Sequence, residues 1–363
     1  MQMKIKWLLA LILILLTISI TVIFFVHFWS QKNLSDVAVA SAVDSSDMGL
    51  ELGQNMVVGI PGPTLDNSIK NLLHKIKPGG IVLYRRNYQS DEQFKSLIHQ
   101  LQVIANQDSG VPYFIMVDEE PDGASRLNLL TNVFTLGLPD WGKINAGMSK
   151  MANLGVTVDL APVVDYPFNQ DSFISNRVPT NNLSELKAFS KTFIKLLAQH
   201  NIAATLKHFP GAGVFVQDPH KTVIDGYVQQ DFFNQSISLF KNGIDAGAQF
   251  VMTNHAIYSN VDPINPATLS GPILTGILKQ QLGFKGIIIT DDIEDMLAPI
   301  YNIEPADAGV RALKAGDTMI MYGQSLGPTL DTFKKIEASV EKDQDLERIV
   351  KNNYQQIIDF KNK

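Results

Sequence analysis

From residue 55 onward the chain alternates short apolar runs with polar loops and with longer segments whose apolar residues recur every three or four positions. Short continuous apolar runs suit strands buried on both faces, and the periodic segments suit helices that lay one face on a sheet. The pattern predicts strands at 55–60, 80–85, 112–118, 156–164, 202–207, 249–254, 286–291 and 318–322. Between them, Phe189, Phe193, Leu196 and Leu197 fall on one helical face, with Asn182 and Glu185 spaced as a capping box ahead of it. The intervals 92–105, 229–246 and 270–281 also have helical length, and Leu346, Ile349, Val350, Ile357 and Ile358 give 345–360 the face of a closing helix. Eight strands in β/α alternation predict an α/β fold, a (β/α)8 TIM barrel with no second domain after it.

The first thirty residues break this pattern. Trp7 to Trp29 contains no Asp, Glu, Lys or Arg, and at about 1.5 Å per residue a helix of that length crosses a hydrocarbon core of about 30 Å. Lys4 and Lys6 precede it, which keeps the N-terminus cytoplasmic and sends the remainder outside. The expected organisation is a cytoplasmic tip and transmembrane signal-anchor at 1–30, a flexible linker at 31–50 and a catalytic domain at 51–363, in a single-pass cell-membrane protein. Ala38-Val39-Ala40 and Ala40-Ser41-Ala42 offer the competing reading, a cleaved and secreted form.

Composition narrows the partners. With 30 basic against 36 acidic residues and no basic stripe, nothing answers the phosphates of a nucleic acid. The absence of cysteine excludes disulfides and thiolate metal sites, and the histidines lack zinc-ligand spacing, so neither a metal nor a cofactor is expected. No obligate protein partner is implied.

Barrel enzymes carry their chemistry at the carboxyl ends of the strands. Here those ends read Asp118-Glu119-Glu120, Asp165, Lys207-His208, Asn254-His255 and Asp291-Asp292. Asp291 closes an apolar strand, as a nucleophile or an electrostatic stabiliser of a cationic transition state, with Asp292 the better cap for the helix that follows. In the loop after the fifth strand, Asp218 stands two residues before His220 and would hold it in one tautomer, as suits a general acid that becomes a base. The other reading is a solvated loop histidine. Lys207 and His208 either hydrogen-bond ligand oxygens or form ion pairs with Asp118 or Asp165, and Arg177 grips a sugar or carboxylate or lies on the surface. Gly211 and Gly213 read as loop flexibility.

With these residues in place, the chain resembles the β-N-acetylhexosaminidases of glycoside hydrolase family 3 over about residues 50–325. The motifs are GGIVLYRRN at 79–87, LGVTVDLAPVVD at 154–165, KHFPG at 207–211, VMTNHAIY at 251–258, PATLSGPILTGILKQQLGFKGIIITDD at 266–292 and AGDTMIMYG at 315–323. The resemblance implies a retaining hydrolase in which Asp291 forms a covalent glycosyl-enzyme and His220, with Asp218, is the acid/base. It also implies that Lys207, His208, Arg177 and Asp118 bind a terminal N-acetylglucosamine, with Arg126 and His255 as further candidates, on glycans such as cell-wall muropeptides. The family's KHFPGHG reads KHFPGAG, and its DQEGGRVQRL reads DEEPDGASRL, which puts Gly123 where the family has an arginine. After Asp291 one residue more than the usual DDLxM predicts that Met296 is displaced from the sugar. Two other readings stand beside the hydrolase: a β-N-acetylglucosaminide phosphorylase, and a catalytically weak glycan-binding protein.

Overall fold

Eight strands carry the chain around one closed, all-parallel barrel: β1 Met56–Gly59, β2 Gly80–Val82, β3 Phe114–Val117, β4 Val158–Asp159, β5 Ala203–Phe209, β6 Phe250–Thr253, β7 Ile287–Asp292 and β8 Met319–Tyr322. Each pairs with its neighbours in sequence, and β8 returns to β1 with Met56 opposite Ile320. The computed structural model describes residues 47–363, except 136, 220 and 325 and the side chains of 327 and 328. The apolar segment 7–29, the two small-residue sites and most of the linker therefore lie outside the described residues. Among those described, no helix is long and apolar enough to cross a membrane. The linker reading also ran too far, because helix α1, Met48–Gln54, begins before residue 50 and buries Leu52.

The predicted fourth strand shrinks to two paired residues. Pro162 has no N–H for a ladder, and beyond it the buried apolar residues keep only an isolated bridge, Val163 with Lys207. The fifth strand instead continues two residues beyond the expected Lys207. The interval 183–199 is helical, with the Asn182 side chain accepting from Ser184 and Glu185 N–H groups. The capping box is only half formed, since Glu185 accepts from the Thr180 hydroxyl instead.

Inside the barrel, Val57, Val82, Met116, Leu160, Met252 and Met321 pack in layers, and a second, larger apolar layer lies between strands and helices. At the amino ends of the strands the barrel is stoppered by the final helix, Gln344–Lys361. Its Phe360 ring meets the Phe114 and Phe250 rings edge-on, 5.6 and 5.4 Å between centroids. The same helix takes hydrogen bonds to the chain just before the strands: Asn353 to Asp317 O, Gln356 to Gly286 O and Lys361 to Gly79 O. Phe360→Ala is expected to cost about 2–3 kcal/mol of stability, since the ring is half-buried and the space below the barrel would refill only in part. Urea unfolding measures this, and an unchanged midpoint would mean the helix is not part of the core.

Two irregularities position the site. The ladder between β5 and β6 slips between Leu206 and Phe209, and that between β7 and β8 slips between Ile289 and Asp292. Bulges of this kind turn side chains away from strict alternation. They fall at the strand ends that hold Lys207, His208 and Asp291.

Candidate active site

Asp118 and Glu120, two residues apart beyond the end of β3, both reach Lys207, whose Nζ lies 2.7 Å from Asp118 Oδ1 and 2.7 Å from Glu120 Oε1. Arg126 binds the other Asp118 oxygen at 3.1 Å, and Arg177 grips both Glu120 oxygens, with Nε 3.0 Å from Oε2. Three cations thus hold two carboxylates in one chain across the barrel mouth. Burial works against charge at Glu120, but Lys207 and Arg177 outweigh it and hold its carboxyl far below the usual range. At Lys207 burial favours the neutral amine, and Asp118 and Glu120 overcome it to raise the ammonium's pKa. Asp118, Glu120, Lys207 and Arg177 stay ionised at neutral pH, which fixes their geometry.

The loop after β3 is built on acidic side chains. Glu119 is fully buried and accepts from Leu127, Leu129 and Leu130 N–H groups and from the Ser125 hydroxyl. A Cβ at Gly123 would lie 2.5 Å from Glu120 Oε2. With Glu120 placed to take Arg177, a side chain at 123 would strike it.

Asp291 sits at the end of β7 with its Oδ1 accepting the Asp292 N–H at 2.8 Å and its Oδ2 3.9 Å from His208 Nε2. The far ring nitrogen of His208 is 2.6 Å from Asp165, which also accepts the N–H groups of His208 and Ala212. Asp165 thus fixes the imidazole that faces Asp291. Burial opposes ionisation of Asp291, but His208, His255 and the Asp292 N–H prevail and hold its pKa below the ordinary value. Its neighbour goes the other way. Burial, with repulsion from Asp291 and Asp295 added, pushes Asp292 up to about 7 even though it caps Glu294 and Asp295 and accepts from Gly323. Two adjacent carboxyls are thereby separated into one anion and one acid.

The Asp292 shift has a sign in stability. A carboxyl whose folded pKa is raised binds its proton more tightly when folded, so the stability it confers is full below the unfolded carboxyl range, near 4, and is lost as pH rises through about 7. Asp292→Asn is expected to flatten the fall in stability between about pH 5 and 7.5. Urea midpoints across that range would show it; equal slopes in both proteins would contradict it.

Asp291 and Met296 together line two adjoining cavities. One, of about 270 Å³, has Tyr84, Asp118 and Arg126 on its wall and Leu160, Met252 and Met321 at its floor. The other is walled by Phe173, Arg177, His208, Pro219 and His255. A larger space of about 490 Å³ opens at the opposite end of the barrel beside Tyr113 and Phe360, away from these charges. Met296 is not displaced as expected. Residues Ile293–Leu297 wind as a π-helix, whose wider turn takes up the extra residue and returns Met296, 4% exposed, to the cavity.

The remaining candidates are placed as follows. His255 lies on the cavity wall, its Nδ1 2.8 Å from the Thr268 hydroxyl and its Nε2 3.3 Å from Asp292 O. Asp218 is half-exposed, 3.1 Å from Lys221 Nζ. His220 lies outside the described residues, while Pro219 before it faces the same cavity as Asp291. The glycines are packed, not loose: a Cβ at Gly211 would fall 1.7 Å from Ser236 Oγ, and one at Gly213 1.8 Å from Tyr166 O. The ion-pair reading of Lys207 and His208 with Asp118 or Asp165 matches the geometry, while sequence reasoning gave no role to Glu120 or Tyr84. Glu120 was signalled by its spacing, since residues i and i+2 of an extended chain share a side. Tyr84 carried no such signal.

The sequence profile of the Glycosyl hydrolase family 3 N terminal domain matches residues 46–359. The chain belongs to glycosyl hydrolase family 3. It is 31% identical over 254 residues to a beta-hexosaminidase of Stenotrophomonas maltophilia, covering 66% of this chain and 74% of that protein. A beta-hexosaminidase of Nitrosomonas eutropha is 30% identical over 285 residues, 73% of this chain and 79% of its own. Among solved structures, beta-N-acetylhexosaminidase from Beutenbergia cavernae superposes with a TM-score of 0.78 at 23% identity, covering 88% of this chain and 99% of that one. Native NagZ from Neisseria gonorrhoeae gives 0.66 at 22%, covering 84% and 89%. At these identities the structures speak for the barrel alone.

Proposed function

We propose that this family 3 chain is a retaining β-N-acetylhexosaminidase that removes terminal β-linked N-acetylglucosamine from cell-wall muropeptides or related glycans. The observation that carries the reading is Asp291, held ionised at the junction of two cavities with a clamped imidazole 3.9 Å away. A carboxylate in that state is a nucleophile for an anomeric carbon. The beta-hexosaminidase relatives support the sugar class.

In this mechanism an Asp291 oxygen attacks the anomeric carbon as the bond to the leaving oxygen breaks, and His220 gives that oxygen its proton. A covalent glycosyl-enzyme results. His220, now neutral, takes a proton from water, which attacks the same carbon and frees Asp291 with the configuration retained. Lys207, Asp118, Arg126 and Arg177 hold sugar oxygens in geometry already fixed by their mutual pairing. The reading also puts the barrel outside the cell membrane, tethered through 7–29, on the strength of that segment's hydropathy and of Lys4 and Lys6.

The test is hydrolysis of a chromogenic β-N-acetylglucosaminide by the full chain, beside the β-glucoside and with and without inorganic phosphate. Release from the N-acetyl compound alone, with free sugar as product in both buffers, is expected. A sugar phosphate as product would replace hydrolysis by phosphorolysis; saccharide binding without turnover would leave a lectin-like protein.

A further inference from the structure

Among the polar groups on the wall of the cavity beside Asp291 that this reaction leaves unused, Asp295 and Gln324 bond each other and Asp292 caps the helix that follows it, which leaves Tyr84. Tyr84, just beyond β2, lies on the cavity wall with its ring contacted by two guanidiniums, Arg86 at 4.4 Å and Arg126 at 5.4 Å from the ring centroid. Both cations are themselves fixed, Arg86 by the carbonyls of Ile60 and Gly323 and Arg126 by Asp118. The ring is therefore held in a set plane. Its hydroxyl reaches across the mouth to the end of β8, where a Cβ at Gly323 would fall 2.1 Å from Tyr84 Oη and 2.5 Å from Asp292 Oδ2. Gly323 has no positive φ, so space alone calls for glycine there. That space is what lets the hydroxyl in.

Burial, followed by the nearby Asp292, Asp118 and Asp291 carboxyls, keeps the phenol protonated well above its usual range. Tyr84 is half-buried on the cavity wall, and the hydrogen bond it donates to Asn87 runs from its backbone N–H, not from the hydroxyl. A phenol held in a set plane on a cavity wall offers a ligand there one donor and one acceptor. The Asp118 and Asp291 carboxylates, held ionised, only accept, so an oxygen that bridges them to Tyr84 must both donate and accept. A sugar hydroxyl does so; an ether or a carbonyl oxygen does not.

We propose that Tyr84 is a specificity-determining residue whose phenol donates a hydrogen bond to one ring hydroxyl of the sugar seated between Asp118 and Asp291. The inference rests on the saccharide reading of this site. A pocket built to bond a hydroxyl rejects the analogue lacking it far more strongly than an apolar pocket rejects an added group.

The test compares the full chain with its Tyr84→Phe variant on 4-nitrophenyl β-N-acetylglucosaminide and on the 3-, 4- and 6-deoxy analogues. Tyr84→Phe is expected to lower kcat/KM on the parent by about 10- to 100-fold. On one deoxy analogue the two proteins should be equal, which names the hydroxyl. Unchanged kcat/KM on the parent would overturn the proposal. So would a uniform loss across the whole series, or a fall in Tm of more than about 5 °C, since either would give the phenol a structural role. If the wild type turns over nothing, titration with N-acetylglucosamine separates the two claims. Weaker binding by the variant would sustain Tyr84 and remove the hydrolase, equal binding would overturn Tyr84, and no binding by either protein would overturn both.

Discussion

Replacing Asp291 by Asn is expected to lower kcat on a chromogenic β-N-acetylglucosaminide by on the order of 10⁴- to 10⁶-fold, the usual penalty for deleting a covalent nucleophile. The amide fills the same volume and still accepts the Asp292 N–H that Asp291 accepts, so binding of N-acetylglucosamine should persist. Stability should hold or rise. Asp291 is one of the charges that raise the Asp292 pKa, and its neutralisation lets that carboxyl titrate closer to the ordinary range. A residual rate above about one per cent of wild type would assign the nucleophile elsewhere. The combination of lost turnover and retained saccharide binding is what separates a missing nucleophile from a collapsed pocket.

Lys207→Met should act on the fold and the chemistry together. Lys207 is 1% exposed and is the one cation that touches both Asp118 and Glu120. Without it two carboxylates face each other across the barrel mouth with one arginine apiece. Breaking a buried charge cluster by removing one partner typically costs about 3–5 kcal/mol, more than the pair itself contributes. Turnover should fall at least a hundredfold as the cavity-facing ends of Arg126 and Arg177 move. Adding Glu120→Gln should recover part of the stability, because the charge left uncompensated is then gone. Chemical denaturation of the single and double variants decides it. A loss below about 1 kcal/mol in the single variant would mean that solvent reaches the cluster and screens it.

The barrel was legible because parallel strands buried on both faces leave continuous apolar runs, and eight such runs stand between residues 55 and 322. The ends were less legible. The fourth run is long and apolar, but Pro162 interrupts it and only an isolated bridge at Val163 continues the pairing. The site's membership could be read from strand ends, yet its pairing could not. Lys207 and His208 are neighbours in sequence and choose different acids, Asp118 with Glu120 for one and Asp165 for the other: Asp165 follows β4, which adjoins β5, and Asp118 and Glu120 follow β3, one strand further round. Counting residues after Asp291 pointed to a displaced Met296 because a count assumes an α-helical turn, and the chain makes a wider one. Tyr84 was hidden for a different reason: its place depends on Gly323, 239 positions later, having no side chain.

The helix that stoppers the barrel comes after all eight strands, and its bonds run to backbone just ahead of β2, β7 and β8. During synthesis the walls therefore exist before their floor, and Phe114 and Phe250 stay open to water until Phe360 arrives.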